Sequence, residues 1–311
     1  MFVVVAMLVG AIVPVQTAVN TRFRMSVGSP VAASFLSFIV AVVAATFLAG
    51  CVTGQFVPDV GRAMAEPWWI WLGGFMGVMF ITGNIVLFPF LGTVETVILP
   101  ILGQVIMGLV VDCLGLFGSP QVAVSGLRLL GAVMVVVGVT LVLEVLRMPA
   151  GRDITRASRP NGIRLWALRI FGVIMGVGSA TQTAVNGRLG AVVGSPLQAG
   201  QISLAVGLVV LLVLALGLSA SRRALATGVS PGPWWMWMGG VLGALFVFGG
   251  ASLVPILGTG TTVIGSLTGT ILCGQVLESL GVGMQRRAAP SLLRLVGLAF
   301  VLIGVVMVRL L

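Results

Sequence analysis

The sequence predicts an all-α integral membrane protein with ten transmembrane helices, arranged as two inverted five-helix repeats. Three observations lead to this fold class: an apolar composition, a series of long hydrophobic stretches, and a repeat of the first half of the chain in the second. Of the 311 residues, 59% are hydrophobic and 8% are charged, against roughly 25% charged in an average soluble domain. So few charges cannot cover a water-exposed surface, and most of the surface must therefore face lipid.

The two halves of the chain align without a gap at an offset of 166 residues, and this register holds over about 120 positions. Four segments illustrate the register: 16–20 recurs at 182–186, 28–30 at 194–196, 67–69 at 233–235 and 91–93 at 257–259. A fixed register of this length indicates an internal duplication. The predicted units are a first five-helix repeat at 1–146, a polar, Arg-rich cytoplasmic linker at 147–164 and a second five-helix repeat at 165–311.

Each repeat contains five apolar stretches of the length that crosses a bilayer, about 20 residues. The predicted spans are 2–20, 30–50, 67–90, 93–114 and 124–146, followed by 165–186, 196–218, 233–256, 260–281 and 290–310. Because five is an odd number, the second repeat must enter the membrane in the opposite orientation to the first. Inverted repeats of this kind are typical of secondary transporters, whose substrate sites lie at the repeat interface.

The arginines predict which side of the membrane each loop faces. All 17 basic residues are arginines, and most of them fall on one side of the predicted spans, including the linker. The positive-inside rule makes that side cytoplasmic. Both termini are then expected outside, in a multi-pass protein of the cytoplasmic (inner) membrane. The same placement gives the arginines a topological role, so no nucleic-acid partner is expected.

Several classes of site are excluded by residues that are missing from the sequence. It contains no His, and its three cysteines, Cys51, Cys113 and Cys273, are isolated from one another. Neither a metal site, a cofactor nor a disulfide framework is therefore expected. The motifs of metalloproteases and serine hydrolases are also missing, so the protein is not expected to be an enzyme. No nucleotide-binding motif is present, which leaves a proton or substrate gradient as the energy source for any transport.

Glycine pairs spaced four residues apart, at 73/77 and 239/243, predict close approach between helices. Two amide pairs have the same spacing. Gln16 and Asn20 share one helix face, and Gln182 and Asn186 repeat them in the second half. Polar groups inside a membrane are costly and mark functional sites, so these amides are candidates for substrate binding at the two ends of one pathway. The alternative is hydrogen bonding between helices, worth about 1 kcal/mol each.

The repeats differ at three polar positions inside the predicted spans. Gln104 aligns with Thr270, Asn84 aligns with a glycine, and Glu95 aligns with a threonine. A cavity at the repeat interface would be lined asymmetrically by such residues, so all four are candidate substrate-binding residues. Glu95 has no evident basic neighbour in the sequence. It is expected either to bind a cation or carry a proton, or to lie at a helix start where the helix dipole favours a carboxylate.

In each repeat, one pair of oppositely charged residues flanks the turn between the fourth and fifth predicted spans. Asp112 and Arg128 lie at equal distances from position 120, and Glu278 and Arg294 repeat this spacing. Antiparallel helices would bring the members of each pair to a similar depth. Both pairs are predicted to be structural salt bridges that hold the helical hairpins together.

The motifs around these residues resemble a known family. The run from Leu91 to Thr96, continued through Gly103-Gln104 to Asp112, follows a Trp-Trp helix start and an early Asn20 and Gly-Ser-Pro segment. This pattern resembles the YdcZ-type inner-membrane proteins of the drug/metabolite transporter superfamily, which are five-helix units of about half this length. The resemblance covers both halves and implies a ten-helix transporter fold with a central cavity between the inverted halves. Thr270 departs from the pattern, because it stands where the family has Gln.

The function expected from the symmetry, the intramembrane amides and this resemblance is secondary transport of a small molecule by alternating access. Export of a metabolite or an organic cation is the favoured form. The alternative is a non-transporting structural or regulatory membrane subunit. The expected partners are a small-molecule substrate and the lipid bilayer, and a homodimer is left open.

Overall fold

A computed structural model describes residues 1–119, 121, 123, 125–142, 162–282 and 291–310, and no β-strand occurs among them. Most of the predicted linker therefore lies outside the described residues. The helices are α1 (Phe2–Val27), α2 (Pro30–Thr53), α3 (Val60–Met64), α4 (Leu72–Leu114), α5 (Gly126–Val142), α6 (Gly162–Val193), α7 (Pro196–Gly217), α8 (Ser219–Thr227), α9 (Met238–Ser279) and α10 (Leu292–Leu310). This is the predicted all-α membrane fold. Short 3₁₀ turns at Trp68–Trp71 and Trp234–Trp237 precede α4 and α9.

Five of the described helices are long and apolar enough to cross a membrane. They are Phe2–Val27, Pro30–Thr53, Trp68–Leu114, Gly162–Val193 and Pro196–Gly217. Three further described helices are apolar but shorter, at Gly126–Val142, Trp234–Gly249 and Leu292–Val308. The first and sixth helices extend beyond the predicted spans, because they continue through polar turns at their C-terminal ends.

The repeated Gly-Ser-Pro segment makes the sharp corner between the first two helices of each half. Gly28 ends α1 with a φ of 84°, in the left-handed region that glycine adopts without strain. The Ser29 hydroxyl then accepts from the backbone N–H of Ala32 at 3.4 Å, and Pro30 begins α2. Gly194 repeats the conformation with a φ of 77°, and Ser195 caps α7. The motif thus begins the second helix of each half with a cap and a proline, both favoured at helix starts.

The third and fourth predicted spans are joined without a loop in α4. Its 43 residues would extend ~65 Å as a straight helix, about twice the hydrocarbon thickness of a bilayer. The direction changes at Gly92, where φ is 75° and ψ is −178°, a combination accessible almost only to glycine. We call residues 72–91 α4a and residues 93–114 α4b. The sequence predicted spans at 67–90 and 93–114, and the structure makes the turn between them at the single residue Gly92.

The two halves meet along an antiparallel pair formed by α5 and α10. A side chain at Gly131 would come within 2.7 Å of the Gly304 carbonyl oxygen, and one at Gly138 within 2.6 Å of the Gly297 carbonyl oxygen. Gly131 and Gly297 are repeat counterparts, and so are Gly138 and Gly304. Each helix therefore makes the same contacts with its counterpart. This is expected where two helices related by inverted-repeat symmetry cross at the symmetry axis.

The remaining helices interlock across the repeat boundary. The first helix of the first half, α1, packs along α9, and its counterpart α6 packs along α4. Gly10 lies against the backbone of Ser266, and its counterpart Gly176 lies against the backbone of Pro100. Close approach through glycine is typical of helix contacts in membranes. The two sequence repeats are therefore not separate packing units, since each first helix completes the opposite half.

Candidate substrate site

The first amide pair docks onto the glycine pair of the second half. A side chain at Gly243 would come within 2.5 Å of Gln16 Nε2, and Asn20 Oδ1 lies directly over Gly239. Asn20 Oδ1 also accepts a hydrogen bond from Ser37 Oγ at 3.0 Å. Gln16 and Asn20 are 8% and 2% exposed, so this amide pair is enclosed between α1, α2 and α9.

The second amide pair makes the reciprocal contact. A side chain at Gly77 would come within 2.8 Å of Gln182 Nε2, and Asn186 Oδ1 lies directly over Gly73. The spacing of four residues is common to amides and glycines because both occupy successive turns of a helix. The glycine pairs therefore provide the room for the amide pairs of the opposite half. Substrate binding by these four amides stays a prediction, and their contacts fit the interhelical alternative equally.

Gln104 and its counterpart Thr270 have different surroundings. Gln104 Nε2 donates to Ser179 Oγ at 3.3 Å, which links α4b to α6. The Thr270 hydroxyl lies 2.8 Å from the Gly10 carbonyl oxygen and 2.9 Å from the Ser266 carbonyl oxygen. It therefore donates to backbone between α1 and α9. Asn84 is 6% exposed on α4a.

Glu95 has a basic partner, contrary to the expectation from sequence. Its two carboxylate oxygens accept from Arg169 Nε and Nη2 at 3.1 and 3.2 Å, and both side chains are 9% exposed. The Arg169 guanidinium also lies over the Trp166 ring, 5.3 Å from its centre. The sequence did not reveal the pair because the partners lie on α4b and α6 and because neither has a charged repeat counterpart. A bidentate pair of this kind neutralises the carboxylate that was the candidate for binding a cation.

Glu278 connects three elements at one end of the molecule. It forms an ion pair with Arg294 Nη1 at 2.8 Å, as its position predicted, and Arg294 Nη2 donates to its other oxygen at 2.9 Å. The backbone N–H of Val94, at the start of α4b, also donates to Glu278 Oε2 at 3.0 Å. Beside it, the Thr93 hydroxyl donates to the Val282 carbonyl at 2.9 Å. Glu278 is thus the cap of the α4b N-terminus, a role that the sequence did not suggest.

The other predicted ion pair is more exposed. Arg128 Nη1 lies 3.2 Å from Asp112 Oδ2, with side-chain exposures of 12% and 27%. At the same end of the molecule, Arg188 binds Glu66 through a contact of 2.9 Å. The structure therefore brings both predicted pairs together, and their structural role stays a prediction.

Buried polar atoms without a partner are a further signal that sequence reasoning missed. Among the described residues these atoms include Asn186 Oδ1, Ser203 Oγ and both amide atoms of Gln275. Most buried polar groups in native proteins are hydrogen-bonded, so each such atom calls for an explanation. Ser203 aligns with Ser37, whose hydroxyl is satisfied, and this repeat comparison could have drawn attention to it.

An open apolar cleft of about 200 Å³ lies between α4a, α6 and α7. It is lined by Phe75, Val78, Met79, Thr82, Gly83, Val86, Phe171 and Leu214. The lining is almost entirely apolar, and it contains none of the residues predicted to bind substrate. Thr82 is its single hydroxyl, which donates to Ser34 Oγ at 2.9 Å. This space does not provide the polar contacts expected of the predicted central cavity.

The fold and the interlocked repeats define a membrane protein of the drug/metabolite transporter type. The chain belongs to the family described as "Putative inner membrane exporter, YdcZ", which matches residues 1–141 and again residues 167–307. The two matches are separated by the same offset as the internal repeat, which confirms the predicted two-repeat member of this family. The family places the protein in the inner membrane as a multi-pass exporter-type protein, and it fits a protein that is not an enzyme.

A comparison with solved structures agrees with this fold. One similar structure, titled "Crystal structure of protein", has a TM-score of 0.53 and 14% sequence identity over 98% of this chain and 96% of that chain. At this identity the similarity shows the fold alone. No curated protein matches the sequence.

Proposed function

We propose that the protein is a secondary transporter that exports a small metabolite by alternating access. Membership of an exporter family supports the direction of transport. The inverted repeats support the mechanism, because in such transporters one repeat rocks against the other around a fixed substrate site. The sequence offers no nucleotide-binding motif, so a proton or substrate gradient drives the cycle. The main alternative is a membrane subunit that does not transport.

The observation that carries this proposal is the contact between the start of α4b and the end of α9. Val94 N–H binds Glu278, and the Thr93 hydroxyl binds the Val282 carbonyl. These contacts join the two repeats at one end of the molecule, next to the Glu278–Arg294 pair. Alternating access requires contacts that close one end of the protein in one conformation and break in the other. A small number of hydrogen bonds between the repeats can break and form in this way. By the arginine distribution this end is cytoplasmic, and both termini lie outside.

The ion pairs bear on the class of substrate. The membrane-embedded carboxylates that the structure describes, Glu95, Asp112 and Glu278, are each paired with an arginine. A transported organic cation would need one of these pairs to open, at the cost of a charge left without a partner. An uncharged polar metabolite needs no such change, and we therefore favour it over the organic cation.

Flux through reconstituted protein tests the proposal. Purified protein in liposomes, screened by counterflow against labelled polyols, sugars, amides and organic cations, is expected to exchange at least one uncharged compound. Glu278→Gln should reduce this exchange more than Asp112→Asn, because only Glu278 is observed to cap α4b. Wild-type liposomes that show no exchange above protein-free liposomes for the whole panel would favour the non-transporting subunit instead.

A further inference from the structure

Each half of the protein carries one Asn–Ser pair, and the two pairs differ. In the first half, Ser37 Oγ donates to Asn20 Oδ1 at 3.0 Å. In the second half, neither Asn186 Oδ1 nor Ser203 Oγ has a hydrogen-bond partner, although both atoms are buried. The two serines are equally enclosed, with exposures of 4% and 5% for Ser37 and Ser203. The asparagines differ, because Asn20 is buried and Asn186 is half-buried, although its Oδ1 is buried.

The two unpartnered atoms converge on one glycine. A side chain at Gly73 would come within 3.2 Å of Ser203 Oγ, and it would collide with Asn186 Oδ1. At the counterpart, Gly239, the three nearest atoms all belong to Asn20. The serine of the second half thus faces the glycine, whereas the serine of the first half is bonded to its asparagine. Buried donors and acceptors without partners are costly, and a small polar group between these two atoms would remove that cost.

We propose that Asn186 and Ser203 form the polar end of the substrate site, and that this site takes a small uncharged molecule with a hydroxyl or primary amide group. The proposal rests on the transport function above and specifies its substrate chemistry. Asn186 Oδ1 needs a donor, and Ser203 Oγ can donate or accept, so a ligand group that does both satisfies the pair. The nearest charged residue along α6, Arg188, is held by Glu66 at 2.9 Å. The nearest charge on this helix is therefore already neutralised, which disfavours an ionic ligand.

The first test needs no ligand and uses the repeat as its control. Ser203→Ala removes a hydroxyl that bonds nothing in the protein, so the melting temperature of the purified protein should change by less than ~1 °C. Ser37→Ala leaves Asn20 Oδ1 without its donor, and should lower the melting temperature by about 2–4 °C. Equal effects of the two substitutions, whether large or small, would overturn the assignment of Ser203 to a ligand.

The second test uses defined probes. Glycerol, ribitol, myo-inositol and nicotinamide represent uncharged hydroxyl and amide compounds, and choline and malate represent ions. At least one uncharged probe should raise the melting temperature of the wild type and of Ser37→Ala, but not that of Ser203→Ala or Asn186→Leu. The proposal is wrong if the shift persists in both second-half variants, if only choline or malate gives a shift, or if none of the uncharged probes does.

Counterflow of the stabilising probe separates this site from the transport function. Exchange that is lost in Ser203→Ala and kept in Ser37→Ala supports both proposals. Stabilisation without exchange in the wild type contradicts transport and leaves the site standing. Exchange that Ser203→Ala does not alter contradicts the site and leaves transport standing.

Discussion

The buried ion pair between Glu95 and Arg169 gives a prediction whose size follows from its burial. Both side chains are 9% exposed, and two contacts of 3.1 and 3.2 Å join the carboxylate to the guanidinium. Removing one partner of such a pair costs about 3–5 kcal/mol, because the remaining charge keeps neither its partner nor water. We therefore expect Glu95→Gln and Arg169→Met each to lower the free energy of unfolding by about 3–5 kcal/mol.

The double variant gives the informative comparison. A buried ion pair replaced by uncharged residues of similar volume is often neutral in stability, so Glu95→Gln/Arg169→Met should regain most of the loss. The free energies can be measured by detergent denaturation of the purified protein in mixed micelles, followed by tryptophan fluorescence. Single variants that lose less than ~1 kcal/mol, as exposed pairs do, or a double variant with the summed loss of both, would refute the reasoning.

The same double variant decides between a structural and a functional Glu95. If the pair only neutralises two buried charges, proteoliposomes with the double variant should retain exchange of an uncharged substrate. If Glu95 binds a cation or carries a proton during transport, exchange is lost even though stability is restored. Loss of exchange in the double variant would therefore indicate that Glu95 takes part in substrate binding or in coupling.

Three further predictions concern the caps, the glycines and the orientation. Glu278→Gln should lower the melting temperature more than Asp112→Asn, because Glu278 accepts from the backbone of α4b in addition to its arginine. Equal thermal shifts would contradict this. Gly138→Ala places a methyl group within 2.6 Å of a carbonyl oxygen and should cost about 1–3 kcal/mol, whereas Gly126→Ala, with no atom within 4 Å, should be neutral in the same denaturation assay. Cys51 is exposed and lies on the same side of the predicted topology as the termini. It should therefore react with a membrane-impermeant maleimide in intact cells, and no reaction is expected if the termini are cytoplasmic.

The helices and the repeat could be predicted from the sequence because both are written in local patterns. Apolar stretches of membrane length and a fixed offset between the halves need no knowledge of tertiary contacts. The joined α4 shows where this ends. Gly92 marks the boundary between two spans, but only its backbone angles reveal that a single residue makes the turn. A loop of several residues would have produced the same hydropathy pattern.

The contacts of the candidate site were less predictable, because they join residues far apart in the chain. The Asp112–Arg128 pair was within reach because a hairpin brings its partners together. Glu95 and Arg169 lie on different halves, and the repeat alignment offers no second example of the pair. The amide pairs and the glycine pairs onto which they dock are both spaced four residues apart. That match in spacing was visible in the sequence, but which helices meet was not.

The reciprocal packing of α1 and α9 has a consequence for the order in which the chain matures. α1 ends at Val27 and α9 begins at Met238, so ~210 residues are synthesised between them, which takes about 10–40 s at typical elongation rates. During that interval Gln16 and Asn20 are in the membrane without the glycines that later receive them. We therefore expect the nascent first half to bind any insertion factor that shields polar helix faces, until the last quarter of the polypeptide arrives.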